Sequence, residues 1–421
     1  MVFKWNLQIR QPDTTREAAS PRRRALCFLF FQSPQMTTQK TAIAAAAATA
    51  AALLYLYRRR NRCQTVKAFY LMHAKDDDEL PFIEAASLPP DVELKVEVSD
   101  GVPALDEAFY RANKDVNVFI TRLPTKEALD AWPHSLKKVI NPFAGPVEST
   151  RQLIRERPHL TLHNAHFNAQ PTAELALGLL LAAAKCIVVR DKDFREEAFQ
   201  ADSKMWTPGF MFADEPPTLG GRNALILGYG AIGSRVAAML HGMGMQVHAC
   251  RRNAGNKPTF DGVATVHELS SSLHTLLPTV HVLMICLPGT KATDGLIGQK
   301  ELKLLPKGAL LVNVGRGSVV DERALYESLA GGHLGGAGVD VWYRYPMLPG
   351  TGMGGGESNK HLGPSSADCP FHKLPNCVMS PHRGQSSDGK AKDRVAELIW
   401  MLSQYSSTGV MPNAFDVDRG Y

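Results

Sequence analysis

No C-x-x-C pair occurs in the chain, and its seven cysteines (Cys27, Cys63, Cys186, Cys250, Cys286, Cys369 and Cys377) are an odd number. That pattern argues against a zinc-binding framework or a disulfide scaffold, and it implies a reducing compartment and no structural metal. Cys250 and Cys286 each end an apolar stretch and read as small core residues. An excess of positive charge is also lacking once the first segment is set aside. Residues 1–62 hold eleven Lys/Arg against Asp13 and Glu17, whereas the remaining 359 residues hold 36 basic and 39 acidic groups. The net charge of +6 therefore belongs to the tail, and the mildly acidic body presents no nucleic-acid footprint.

Long uncharged apolar runs are lacking except at 41–57, TAIAAAAATAAALLYLY, which precedes Arg58-Arg-Arg-Asn-Arg62. Seventeen helical residues at ~1.5 Å each span ~25 Å, the lower edge for crossing a bilayer. The basic cluster that follows favours a cytosol-facing body behind a membrane anchor. An Arg- and Ala-rich, acid-poor organelle presequence is the rival reading, and an uncleaved helical spacer is a third.

What is present is organised around Asn223–Arg252. The apolar run Ala224–Leu227 is short and bounded by Gly228, as a buried parallel strand should be. Gly228-Tyr229-Gly230-Ala231-Ile232-Gly233 then fits G-x-G-x-x-G between a strand and a helix. The first glycine permits the turn, the second admits a pyrophosphate, and the third lets helix and strand pack closely. A second strand, Gln246–Cys250, arrives where a βαβ unit needs it, so a dinucleotide site is expected. At its end stand Arg251 and Arg252, with no carboxylate to receive a bare ribose 2′-hydroxyl. Two guanidinium groups suit a 2′-phosphate, which favours NADP(H) over NAD(H); a solvated basic turn is the other reading.

Elsewhere short strands alternate with helices. Strands are expected at Val66–Met72, Glu93–Val98, Val116–Thr121, Lys138–Ile140 and Leu160–His163, with a helix at 103–113. This predicts a doubly wound, flavodoxin-like α/β domain. Asn141-Pro-Phe-Ala144-Gly145-Pro146 follows the fourth strand, where backbone N–H groups could meet an anion or form a simple turn. One long helix is expected over 171–199, with Pro171 in its first turn. It would be a buried connecting or interface helix. Strands follow at His281–Leu287, Ala309–Val314 and, as the last, Gly336–Trp342, with a helix at Asp321–Ala330. The Gly-, Pro- and Ser-rich stretch 346–376 reads as a surface insertion, and Lys390–Tyr405 as a helix.

Two residues could carry chemistry. Arg316 follows an apolar strand between two glycines; its fork suits a carboxylate, although an exposed strand-end charge has the same pattern. His382, in Pro381-His-Arg-Gly384, has the pKa range of a proton donor to a carbonyl, although a surface histidine would look alike.

From about Thr65 onward the chain resembles the D-isomer-specific 2-hydroxyacid dehydrogenases. The matching stretches are His163–Glu174, Leu219-Gly-Gly, Gly228–Gly233, Leu287-Pro-Gly-Thr290 with Thr293, Leu311–Leu325, Gly336–Trp342 and Ser380-Pro-His382. The resemblance implies two doubly wound domains. Residues 63–170 and 376–421 would form a flavodoxin-like substrate domain, and 171–375 an inserted Rossmann dinucleotide-binding domain. It implies that Arg316 binds substrate and that His382 is the acid/base. The backbone of Ala144 and Gly145 would hold the substrate carboxylate, and Asp340 would lie near the nicotinamide carboxamide. Leu287, Pro288, Val314 and Gly315 would border the cofactor. The implied activity is reduction of a small 2-oxo acid such as glyoxylate or hydroxypyruvate to the D-2-hydroxy acid, in a homodimer. One departure stands out: where the family has a glutamate paired with the histidine, this chain has Tyr345. A neutral phenol hydrogen-bonds but does not favour imidazolium as a carboxylate does. The resemblance also reaches corepressors of the C-terminal-binding-protein type, so the alternative is a dinucleotide-sensing binding protein of the same fold.

Overall fold

The computed structural model describes residues 65–99, 111, 113–197, 216–254, 259–345 and 365–420. The run 41–57, nearly all of the helix expected at 103–113, and most of 201–221 and 346–376 lie outside the described residues.

Strands β1 (Val66–His73), β2 (Val92–Ser99), β3 (Val118–Ile120), β4 (Lys138–Asn141) and β5 (Thr161–Asn164) pair in parallel in the order 2-1-3-4-5. That is the flavodoxin-like order. The second sheet contains β6 (Asn223–Leu227), β7 (Gln246–Arg251), β8 (Thr259–Phe260), β9 (Thr265–Glu268), β10 (Val282–Ile285), β11 (Ala309–Asn313), β12 (Leu334–Val339) and β13 (Cys377–Met379). Its order is 13-12-11-10-6-7-9-8, parallel but for β8, which is the Rossmann arrangement with a switch point between β6 and β10. The chain then returns: β14 (Ala414–Phe415) pairs antiparallel with β5 of the first sheet.

Both faces of the second sheet are covered, which is why its strands are continuously apolar. Leu225, Leu227, Leu283, Ile285 and Leu311 pack on one side, and Ala224, Ile226, Val282, Met284 and Val312 on the other. Cys250 is fully buried in this core.

Three expectations differ from what is observed. The single helix expected at 171–199 is two, α1 (Ala169–Ala184) and α2 (Ile187–Glu197), bent by 58°. Cys186 between them adopts a left-handed φ of 52°, which ends α1 as a C-terminal cap residue does. α1 lies flat on β12, where a Cβ on Gly338 would stand 2.6 Å from Leu179 Cβ. α2 leaves that sheet and has no buried residue, so the buried helix stops at residue 184. The strand expected at Gly336–Trp342 ends at Val339; the Asp340 N–H still bonds to the Asn313 carbonyl at 3.0 Å, and its carboxylate binds a neighbouring loop. Nor is it the last: β13 adds to β12, carrying the second sheet past residue 375. No single described helix is long and apolar enough to cross a membrane.

Candidate active site

The candidate residues gather at the carboxyl ends of strands, where the strand amides and carbonyls run out of partners and the chain must turn. At β6 the three glycines play separate roles. Gly228 has φ 96°, and a Cβ there would meet the Cys286 carbonyl oxygen at 2.8 Å. A Cβ on Gly233 would lie 1.9 Å from the Gly228 oxygen, so only glycine lets the helix start so close to the strand. Gly230 is different: it caps α3 (Ala231–Gly242), and nothing lies within 4 Å of where its Cβ would be. That open cradle at a helix N-terminus fits a pyrophosphate, whose charge the free N–H groups would meet. Tyr229 leans outward and its hydroxyl donates to Asp261 Oδ2 at 2.7 Å. Arg251 closes β7 and, with Arg252, is exposed beyond this loop. Glu268, in register with Arg251, accepts the Ala254 N–H at 2.8 Å.

Leu287 and Pro288 follow β10, and Val314 and Gly315 follow β11. The two turns touch: a Cβ on Gly315 would lie 2.5 Å from the Leu287 carbonyl oxygen. Asn313 builds the next corner. Its Oδ1 accepts the Gly315 N–H at 3.0 Å and its Nδ2 donates to the Arg316 carbonyl at 3.0 Å. Arg316 is thereby turned toward Gly145, with Nη1 donating to the Gly315 carbonyl at 2.8 Å. Surrounding protein draws its pKa down by partial loss of hydration. Arg316 is nevertheless exposed to solvent, so its charge is retained.

Opposite stands the loop after β4. Asn141 Nδ2 donates to the Phe143 carbonyl and Asn164 Nδ2 to the Ala144 carbonyl, each at 2.9 Å. With the carbonyls tied back, the N–H groups of Ala144 and Gly145 have no partner among the described residues. A Cβ on Gly145 would lie 3.2 Å from Arg316 Nη2, so loop and guanidinium from different sheets face one spot.

His382 and Tyr345 complete the cluster. His382 has a left-handed φ of 57°, costly for a β-carbon-bearing residue, and the corner is held by Asp340. This buried carboxylate accepts from Ser380 Oγ, from the Arg383 N–H at 2.7 Å and from the Gly384 N–H at 3.0 Å. Its observed hydrogen bonds thus go to the histidine loop. The Tyr345 hydroxyl accepts the Trp342 N–H at 2.8 Å and lies 2.9 Å from His382 Nδ1. Burial, then the nearby Arg316 charge, lower the His382 pKa, with Asp340 opposing.

Asn141, Asn164 and Asn313 had no expected role. Asn141 and Asn313 bind backbone two or three residues on, a spacing visible in sequence; the Asn164 contact requires the fold.

Residues 177–384 match the model of the D-isomer specific 2-hydroxyacid dehydrogenase NAD-binding domain. The glyoxylate reductase of Thermococcus gammatolerans is 30% identical over 299 residues, 70% of this chain and 80% of that protein. The chain belongs to the D-isomer specific 2-hydroxyacid dehydrogenase family. It is an NAD(P)-dependent oxidoreductase by that membership. Another member, the glyoxylate reductase of Korarchaeum cryptofilum, is 32% identical over 233 residues, 55% of this chain but only 60% of that protein's length. Among solved members, the Xanthobacter autotrophicus Py2 dehydrogenase in complex with NADPH and MES shares the fold. It has a TM-score of 0.63 and 22% identity, over 84% of this chain and 99% of that one.

Proposed function

We propose that this chain reduces a small 2-oxo acid, of the glyoxylate or hydroxypyruvate kind, to the D-2-hydroxy acid, with NADPH preferred. One observation carries this: Arg316 faces Gly145, on the loop that offers the Ala144 and Gly145 amides, and its charge is felt by His382. Arg316 and the two amides grip the substrate carboxylate, and the guanidinium also polarises the carbonyl on which charge grows. Bound on the glycine loop with its 2′-phosphate toward Arg251 and Arg252, the reduced nicotinamide would supply a hydride to the carbonyl carbon. His382 gives its Nε2 proton to the carbonyl oxygen. The donor is the imidazolium, whose Nδ1–H donates to the Tyr345 hydroxyl oxygen; the neutral imidazole left after transfer keeps that Nδ1 proton and the same contact. The glyoxylate reductase names of the relatives support the substrate class, and the NADPH bound by the Xanthobacter protein supports the cofactor.

The test is oxidation of NADPH and NADH by the full chain with a panel of 2-oxo acids, alongside Arg316→Ala. Turnover should fall by about a thousandfold without Arg316. Tight NADPH binding with no turnover on any acid would instead favour the dinucleotide-sensing protein. From the sequence alone we propose that residues 41–57 are a membrane anchor with the body in the cytosol. Carbonate extraction of a 1–62 reporter fusion would retain an anchor in membranes but release a presequence product. Exposed Ile187 and Val188 on α2 support a homodimer, to be checked by sedimentation.

A further inference from the structure

The carboxylate-gripping loop is backed by a group that the chemistry above does not use. Arg394, on helix α4 (Lys390–Thr408), is 1% exposed and belongs to the C-terminal segment that returns to the first sheet. It pairs with the buried Glu79 and, at 3.2 Å, with Asp76; Tyr70 donates to Glu79 Oε2 at 3.0 Å and anchors that carboxylate in turn. Among the described residues its Nε and Nη2 have no hydrogen-bond partner. The flat guanidinium instead lies against two rings, 4.4 Å from the centre of Phe143 and 4.8 Å from that of Phe167. The rings meet edge to face at 6.3 Å, and Arg122 covers Phe143 as well, at 4.8 Å.

A buried ion pair is a poor source of stability, because desolvation offsets most of the attraction. Its value here is geometric: a planar cation held by two carboxylates offers a fixed surface for a ring. Phe143 directly precedes Ala144 and Gly145, and its own carbonyl is tied by Asn141. A shift of the ring therefore moves the two amides relative to Arg316. We propose that Arg394 is a positioning residue: locked by Glu79 and Asp76, it seats Phe143 and so aims the Ala144 and Gly145 amides at the substrate carboxylate. This role rests on the 2-oxo acid reading above.

The experiment compares full-length wild type with Arg394→Lys, Arg394→Met, Phe143→Leu and the Phe143→Leu/Arg394→Met double variant. Glyoxylate kinetics, oxalate inhibition, NADPH affinity and thermal midpoint are measured for each. Lysine keeps the charge for Glu79 but has no flat face. Both Arg394 variants and Phe143→Leu should raise the glyoxylate KM and the oxalate Ki about tenfold, since a small misplacement of binding groups is costly. NADPH affinity, which belongs to the other sheet, should not change. The double variant should be no worse than the worse single one, because both act through one contact. Full rescue by lysine, or unchanged KM and Ki in a folded variant of an active enzyme, would overturn the role alone. If Arg394→Met does not fold, Phe143→Leu and Arg394→Lys decide it on the same measurements. Wild type that neither reduces glyoxylate nor binds oxalate would overturn the 2-oxo acid reading, and this role with it.

Discussion

The Tyr345 hydroxyl bridges the Trp342 N–H and His382 Nδ1, at 2.8 and 2.9 Å. A phenol is thus placed where it can orient the imidazole without lending it negative charge. Burial and Arg316 both lower the His382 pKa from its ordinary 6.5, so the proton donor is lost as pH rises through a value below that. Reduction should therefore be fastest on the acid side. Tyr345→Glu should move the descending limb of the kcat/KM profile upward by about one unit or more, because a carboxylate favours imidazolium. Identical pH–rate limbs in the two proteins would refute the pairing.

Arg251 is exposed at the end of β7, free of any carboxylate partner in its register position, since Glu268 is spent on the Ala254 N–H. Charge-assisted contacts to a 2′-phosphate are worth about 1.5–3 kcal/mol. Arg251→Asp should lower the NADPH:NADH ratio of kcat/KM by about tenfold to a hundredfold. Steady-state kinetics with both cofactors check this, and an unchanged ratio would place the 2′-phosphate elsewhere.

The glycine loop separates folding from binding. Gly233→Ala would put a methyl 1.9 Å from the Gly228 carbonyl oxygen and should destabilise the protein by about 3 kcal/mol, as overpacking does. Gly230→Ala meets no protein atom within 4 Å and should fold normally, yet bind NADPH weakly. Urea unfolding and cofactor titration of both variants decide the matter; a stable Gly233→Ala would contradict the geometry.

His163 links β5 to the returning chain: its Nδ1 contacts the Pro412 carbonyl and its Nε2 the Thr161 hydroxyl, each at 2.8 Å. Burial pushes its pKa from 6.5 down to about 4. The unfolded chain then binds a proton that the native state does not, so stability present above pH 6.5 is lost as pH falls toward 4. The loss from this group is about 3 kcal/mol. Denaturant unfolding across that window should give a flatter dependence for His163→Gln than for wild type, and parallel curves would show that His163 is not responsible.

Much was settled by near neighbours along the chain. The strand–glycine–helix–strand order of 223–252 needs only local φ/ψ freedom and a period of apolar residues, and it stands in the structure as expected. Arg316 between two glycines and His382 after Ser380-Pro381 were likewise visible as strand-end residues, though each alone resembled an idle surface charge. Their meeting is a tertiary matter. Arg316 follows β11 of one sheet and Gly145 follows β4 of the other, and no local preference brings them together. The break at Cys186 is also tertiary: α1 is buried against β12, whereas α2 beyond it has no buried residue. So are the tie from Asn164 to Ala144, which depends on β5 pairing with β4, and that from Arg394 to Phe143, which depends on a C-terminal segment folding back to the first sheet. Periodicity and turn chemistry act over a few residues and can be read in order. Contacts between distant residues exist only once burial of both sheets has fixed where each loop lies.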